Sequence, residues 1–281
     1  MKTISITFIL VAITLLVLNY QPDSVEDGNT DSPKQELLLY SGITMVRPLQ
    51  KLADQFSEQH HVKVKLVQGA SGFLFDTLTK QQSGDIYFPG SPNFRKSHLQ
   101  ENLFASYVLV GYNRLAIITP KNNPKQLKAD LKQLTNPELS VVISSPEASS
   151  VGRATELALR KLGIANAVYE NVTYFTTDSH RIFTAIRSGH ADIAVNWYAT
   201  SKWPETVDYM DALIIDNKIS PKRDLELNLL RFSKNPELAL EFMRFASSPA
   251  GLQVFADYGF LTPEEQQQFK QNPPQIISLD Q

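Results

Sequence analysis

Three short stretches place hydroxyl-bearing and small residues where an apolar run gives way to a helical pattern. They are Ser41-Gly42-Ile43-Thr44, Gln68-Gly69-Ala70-Ser71-Gly72 and the run "PEASSVG" at residues 146–152. Residues 37–40 (Leu37-Leu38-Leu39-Tyr40) read as a buried strand, and after the first stretch Val46, Leu49, Leu52, Ala53 and Phe56 recur at helical spacing. Strand patterns at residues 62–67 and 140–144 precede the other two. A helix start carries N–H groups with no intrahelical partner and about half a positive charge, so it suits an anion. Small residues let the anion reach the backbone, and hydroxyls add donors on rotatable arms. One serine at one junction does no more than cap its helix. Three such junctions in one chain argue for an anion held between them.

These junctions need a frame that alternates strand and helix. Residues 62–67, 85–88, 114–119, 140–144 and 191–196 read as strands. Residues 73–82, 149–162, 182–188, 235–246 and 250–258 read as helices. Alternation of this kind implies an α/β protein with largely parallel sheets. The tail from Thr262 ("TPEEQQQFKQNPPQ") is polar and is expected on the surface.

A chain of 281 residues divides into about two domains. Its 42% hydrophobic and 20% charged content is ordinary for a soluble globular protein, and a formal charge of −2 offers no basic face for nucleic acid. The absence of cysteine excludes catalytic thiols, cysteine-bound zinc, iron–sulfur clusters and a lipoprotein anchor. After Met1-Lys2, residues 3–18 ("TISITFILVAITLLVL") carry no charge and are not followed by a small-x-small site. Residues 1–20 therefore read as a signal peptide or a signal anchor, with Lys2 keeping the short end cytoplasmic and the rest outside. Residues 21–35, rich in Pro, Asp, Ser and Gly, read as a flexible tether.

Other chemistry-bearing residues have plainer readings. His60-His61 falls in a polar helix-to-strand turn, and adjacent residues do not share a helix face, so a solvated turn outweighs a metal pair. Asp85 in "GDIYFPG" is read as shaping its strand, and Trp197 and Trp203 as core or lobe-surface residues. Asp178-Ser179-His180 holds the residue types of a hydrolase triad, but neighbours in sequence cannot adopt that geometry, and no G-x-S-x-G elbow occurs. Arg47, in the first turn of its helix, faces either a cleft or solvent.

The junctions and their surroundings resemble the periplasmic molybdate/tungstate-binding proteins of ABC transporters. The matching blocks are "YSGIT", "VKVKLVQGASGFLFDTL", "GDIYFPGSPNF", "NRLAIITPKNNP", "LSVVISSPEASSVGRATELALRKLG" and "RIFTAIRSGHADIAVNWYAT". They run in the family's order, and "DIYFPGS" places the chain near a divergent branch. The resemblance implies a type II periplasmic-binding fold, with lobe one at residues 36–115 plus 205–275, lobe two at 116–204, and an anion in the cleft between them. The first junction matches at Ser41, with Thr44 a second hydroxyl nearby, and the second matches at Ser71. In the third, Val151 falls where the family uses a backbone N–H, just before Gly152, and Ser150 beside it is a further candidate. The resemblance also implies a backbone N–H at Ser179 or His180, and the hydroxyl of Tyr198. Ser149-Ser150 replaces a segment that commonly holds proline, and Arg153 and Arg181 put guanidinium groups near the cleft, which a neutral-donor pocket lacks. A shell of donors satisfies a fully deprotonated dianion and rejects a protonated one, and size separates molybdate or tungstate from sulfate.

The implied protein is periplasmic, monomeric, not an enzyme and without cofactor, and its partner is an ABC permease/ATPase complex. The alternative is a membrane-tethered sensor or accessory module for another anion such as sulfate, phosphate or an organic anion.

Overall fold

The computed structural model describes residues 35–280, and the signal or anchor segment and nearly all of the tether lie outside them. The described chain runs β1 (Glu36–Gly42), α1 (Val46–His60), β2 (Lys63–Gly69), α2 (Ser71–Gln81), β3 (Ile86–Phe88) and α3 (Asn93–Lys96). It continues through β4 (Phe104–Asn113), β5 (Leu115–Pro120), β6 (Val141–Ser144), α4 (Ser150–Lys161), α5 (Ala165–Asn171), β7 (Val172–Thr176), α6 (Ser179–Arg187) and β8 (Ile193–Trp197). It ends with β9 (Met210–Ile214), β10 (Arg223–Leu230), α7 (Pro236–Ala246), α8 (Pro249–Asp257), α9 (Pro263–Gln271) and β11 (Ile277–Ser278). No described helix is long and apolar enough to cross a membrane.

Two sheets divide these strands. Lobe one holds a six-stranded sheet in the order β11-β4-β10-β3-β1-β2, and lobe two a five-stranded sheet in the order β7-β6-β8-β5-β9. Each has its own core. Leu37, Leu39, Phe56, Phe242 and Phe255 pack together in lobe one, and Val141, Ile143, Leu159, Ile182 and Val195 in lobe two.

The sheets are mixed, which corrects the expectation of largely parallel ones. β1 pairs in parallel with β2 and β3, and β6 with β7 and β8. By contrast, β10 runs antiparallel to β3 and β4, and β5 antiparallel to β8 and β9. The antiparallel strands are those that carry the chain between lobes. A direct passage from one sheet to the other needs no crossover helix, so it leaves no alternating pattern to read.

The lobe boundary is also corrected. β9 pairs with β5, so residues 205–214 belong to lobe two, and the second crossing lies between Ile214 and Arg223. The first crossing is at Arg114, between β4 and β5. The polar tail from Thr262 lies largely on the surface as expected, and part of it is a capped helix. Thr262 accepts from Glu265 N, the Glu265 side chain accepts from Thr262 N, and Phe269 is buried in the lobe-one core.

Candidate functional site

Parallel strands aim the following helices from the same sheet end, and crevices form there. In lobe one, β1 ends at Gly42 and enters a 3-10 turn, Ile43–Met45, while β2 ends at Gly69 and feeds α2. In lobe two, β6 feeds α4 and β7 feeds α6. The starts of α2, α4 and α6 meet across the lobes around a narrow void of about 10 Å³. One water needs roughly 10–15 Å³ by this measure, so the lobes stand nearly shut on each other and must part for a larger guest to enter. A larger groove of about 620 Å³ lies under residues 273–280, but lobe one alone lines it and a single helix start, at Ser248, reaches it.

The helix caps decide which donors remain. Ser149 Oγ accepts from Gly152 N at 3.0 Å, while Ser150 N–H and Val151 N–H have no partner among the described residues. Asp178 Oδ1 accepts from His180 N at 2.9 Å and Arg181 N at 3.0 Å, which leaves Ser179 N–H as the available amide of α6. Of the pair Ser179 and His180, the structure thus leaves Ser179. In α2, Gly72 N donates across the lobes to Ala148 O at 3.3 Å, and Ser71 N–H is unpartnered among the described residues.

Framework bonds hold these groups in place. Asn196 Nδ2 donates to Ser179 O at 3.0 Å, and Asn113 Nδ2 donates to Gly90 O at 3.0 Å. Tyr87 Oη donates to Ser71 O at 2.7 Å; burial pushes this phenol well above its ordinary range, so it remains a neutral donor. Ser71 Oγ accepts from Gly90 N at 3.2 Å, and Thr44 Oγ1 donates to Ser179 Oγ at 3.0 Å, joining the lobes.

Five of the eight residues singled out from sequence line this void: Thr44, Ser71, Ser150, Val151 and Ser179. The other three do not. Ser41 is fully buried and its Oγ donates to Gly42 O at 3.1 Å. Strand side chains alternate, and Ser41 shares the face of Leu37 and Leu39, which packs into the lobe-one core. Tyr198 begins a turn after β8; a Cβ on Gly259 would meet its Cε1 at 3.4 Å, and Lys202 Nζ lies 5.2 Å from its ring. Its ring therefore rests on the turn after α8 instead of the void. Arg153 is exposed, with its guanidinium 5.8 Å from the Phe94 ring of lobe one.

Arg181 is likewise exposed, 3.5 Å from Asp178 Oδ2, and His180 is exposed beside Trp203. Arg47 is taken up by lobe two: it bonds to Glu205 and lies 3.7 Å over the Trp203 ring. Burial works to raise the Glu205 carboxyl, but the bonded Arg47 outweighs it and holds the group below its ordinary value. Trp203, buried, donates from Nε1 to Thr44 O at 3.4 Å.

Sequence reasoning missed Gly42, Gly90, Ser149 and Asp178 as wall residues. Aspartate before "SHR" is a local N-cap signal. Gly90 carries no such signal, because its place opposite Ser150 arises only when the lobes meet. Asp178 is the one ionisable side chain on the wall among the described residues.

A family model for bacterial extracellular solute-binding proteins matches residues 37–261. The chain belongs to this family. Among its relatives, a molybdate-binding protein of Mycobacterium tuberculosis is 21% identical over 253 residues, 86% of this chain and 90% of the relative. Among solved structures, the periplasmic molybdate-binding protein of Azotobacter vinelandii matches with a TM-score of 0.69 at 16% identity, covering 81% of this chain and 99% of that one. The M. tuberculosis sulfate-binding protein matches with a TM-score of 0.71 at 15% identity, over 86% and 92%. At these identities the solved structures establish a shared fold for this solute-binding protein, and the ligand of each remains that protein's own.

Proposed function

We propose that this protein captures a small, fully deprotonated tetrahedral oxyanion, molybdate or tungstate first, outside the cytoplasm and presents it to an ABC permease/ATPase complex. The convergence of three helix starts on one interlobe void carries this reading, since Ser71, Ser150, Val151 and Ser179 offer amides with no partner among the described residues. The relatives that bind molybdate support the choice of anion. An ionised carboxylate has about four acceptor sites, and Asp178 uses three on His180 N, Arg181 N and Thr177 Oγ1, so the wall offers chiefly donors. A dianion that only accepts fits such a wall, while a protonated one brings a donor to it. Closure excludes water and marks the loaded state for the membrane partner. No bond of the ligand is made or broken.

Residues 33–281, titrated with molybdate, tungstate, sulfate and phosphate, test the reading. Molybdate or tungstate at 100 times its Kd is expected to stabilise the fold by about 2.7 kcal/mol, seen as a rise in Tm. No shift with any of the four anions overturns it, and a response to sulfate alone redirects it to the ligand of another structural relative.

Asp178 gives a second expectation. Asparagine caps a helix as well as aspartate does. Asp178→Asn therefore keeps the cap and removes a negative charge from the wall. Affinity for a dianion is expected to rise about tenfold at low ionic strength, a modest share of the Coulomb repulsion at this range. Calorimetric titration of both proteins checks it; unchanged affinity means the anion sits elsewhere.

A further inference from the structure

The two crossings leave lobe one side by side. The β4–β10 ladder ends at the pair Asn113–Arg223, and the next residues outward are Arg114 on the first crossing and Lys222 on the second. Both side chains turn to the same carboxylate. Lys222 Nζ donates to Glu265 Oε1 at 2.5 Å, and the Arg114 guanidinium donates to Glu265 Oε2. Glu265 Oε2 also accepts from Thr262 N at 3.0 Å, which locks the carboxylate to the start of α9. Tyr112, on β4, lies under the cluster, with Lys222 Nζ 3.6 Å and the Arg114 guanidinium 5.9 Å from its ring. Arg114 and Glu265 are nine-tenths buried, so water screens this cluster far less than a surface pair. Burial works to raise the Glu265 carboxyl, and its bonds to Lys222, Thr262 N and Arg114 outweigh that and hold it ionised.

We infer that Glu265 is a positioning residue for ligand capture, a staple that ties both interlobe crossings to lobe one and so sets the resting angle between the lobes. Hinge closure concentrates its backbone rotation in the few residues between two bodies. Here those residues include Arg114 and Lys222, and each is fastened by its side chain to a helix whose Phe269 is sunk in the lobe-one core. Among the described residues, the other buried ion pair, Arg95 with Glu226, lies wholly within lobe one and does not touch a crossing. Removing the staple frees the crossings to rotate, which lowers the population of the closed form. Apparent affinity falls by the same factor, because Kd,app equals the intrinsic Kd divided by the competent fraction.

The inference rests on the reading of a ligand held between lobes, yet its test needs no ligand. The chain has no cysteine, so Lys51→Cys on α1 and Glu170→Cys on α5, both exposed, accept a dye pair across the lobes. Interlobe energy transfer is then measured in the ligand-free protein carrying Lys222→Gln, Glu265→Gln or, as control, Glu264→Gln. Glu264 is exposed in the same first helical turn and makes no bond to either crossing. Lys222→Gln and Glu265→Gln are each expected to lower the closed fraction about threefold or more and to act non-additively when combined. Glu264→Gln is expected to change nothing. Lys222→Gln keeps the cap of α9, so it decides the matter even if Glu265→Gln folds poorly. Unchanged energy transfer in folded Lys222→Gln overturns the staple, as does a shift in Glu265→Gln alone. If molybdate fails to bind the parent protein while the open fraction still shifts, the ligand assignment fails and the staple stands.

Discussion

Gly90→Ala and Gly72→Ala are expected to lower oxyanion affinity on the order of 100-fold each while leaving the ligand-free Tm nearly unchanged. A Cβ at Gly90 would stand 2.2 Å from Ser150 Oγ and 3.2 Å from Ser150 Cβ, across the lobes. Rotating the Ser150 hydroxyl relieves the first contact but not the second, and it turns away one of the wall's donors. A Cβ at Gly72 would stand 2.9 Å from Glu147 O and 3.0 Å from Ala148 O, which are backbone atoms of lobe two. Neither glycine has positive φ, so alanine brings no backbone strain within lobe one. Each methyl acts as a wedge that meets resistance only when the lobes close. A 100-fold loss is about 2.7 kcal/mol, a reasonable cost for keeping amides of two lobes from reaching one anion together. Calorimetric titration with molybdate, beside a melting curve of the ligand-free protein, checks both halves. Parent-like affinity in Gly90→Ala would mean that the void between α2, α4 and α6 is not the site.

Gly152→Ala is expected to strike stability and binding together. Its Cβ would stand 2.1 Å from Ser145 O, 2.4 Å from Ser145 C and 2.5 Å from Ser144 O, all backbone within lobe two. No side chain can yield there, so the start of α4 must lift from the end of β6. That movement breaks the bond from Gly152 N to Ser149 Oγ and carries off the amides of Ser150 and Val151. Overpacking at a rigid contact costs about 3 kcal/mol, and a domain of this size loses about 2–4 °C per kcal/mol. The melting temperature should drop by about 6–12 °C, with no measurable binding of molybdate. Thermal denaturation followed by titration at low temperature separates the two effects. Full affinity in a destabilised Gly152→Ala would show that the α4 amides take no part.

The helix starts were legible because a cap is a local device. Ser149 and Asp178 announce α4 and α6 within three residues, and Gly163, at φ +70°, closes α4. Thr262 and Glu265 carry the same kind of signal for α9, although the polar run after them reads more readily as a tail. The long central strand β10 was hidden for the opposite reason. Its sequence RDLELNLL places Glu226 and Asn228 in a buried strand, where polar residues argue against one. Glu226 is tolerated because Arg95, 131 positions away, binds it in two places, and no local window contains that pair.

The chain alone therefore determined an α/β frame and the residue types that line the interlobe void, because strand and helix periods and caps act over a few neighbours. Tertiary structure decided which of those residues point inward. Ser41 and Tyr198 have the right chemistry, but the strand alternation of β1 and the turn after β8 direct them into lobe one's core and onto the turn after α8. Gly90, Gly72 and the Glu265 staple gain their meaning only where the lobes and their two crossings meet. Distance in space, set by how two separately cored bodies dock, has no counterpart in distance along a sequence.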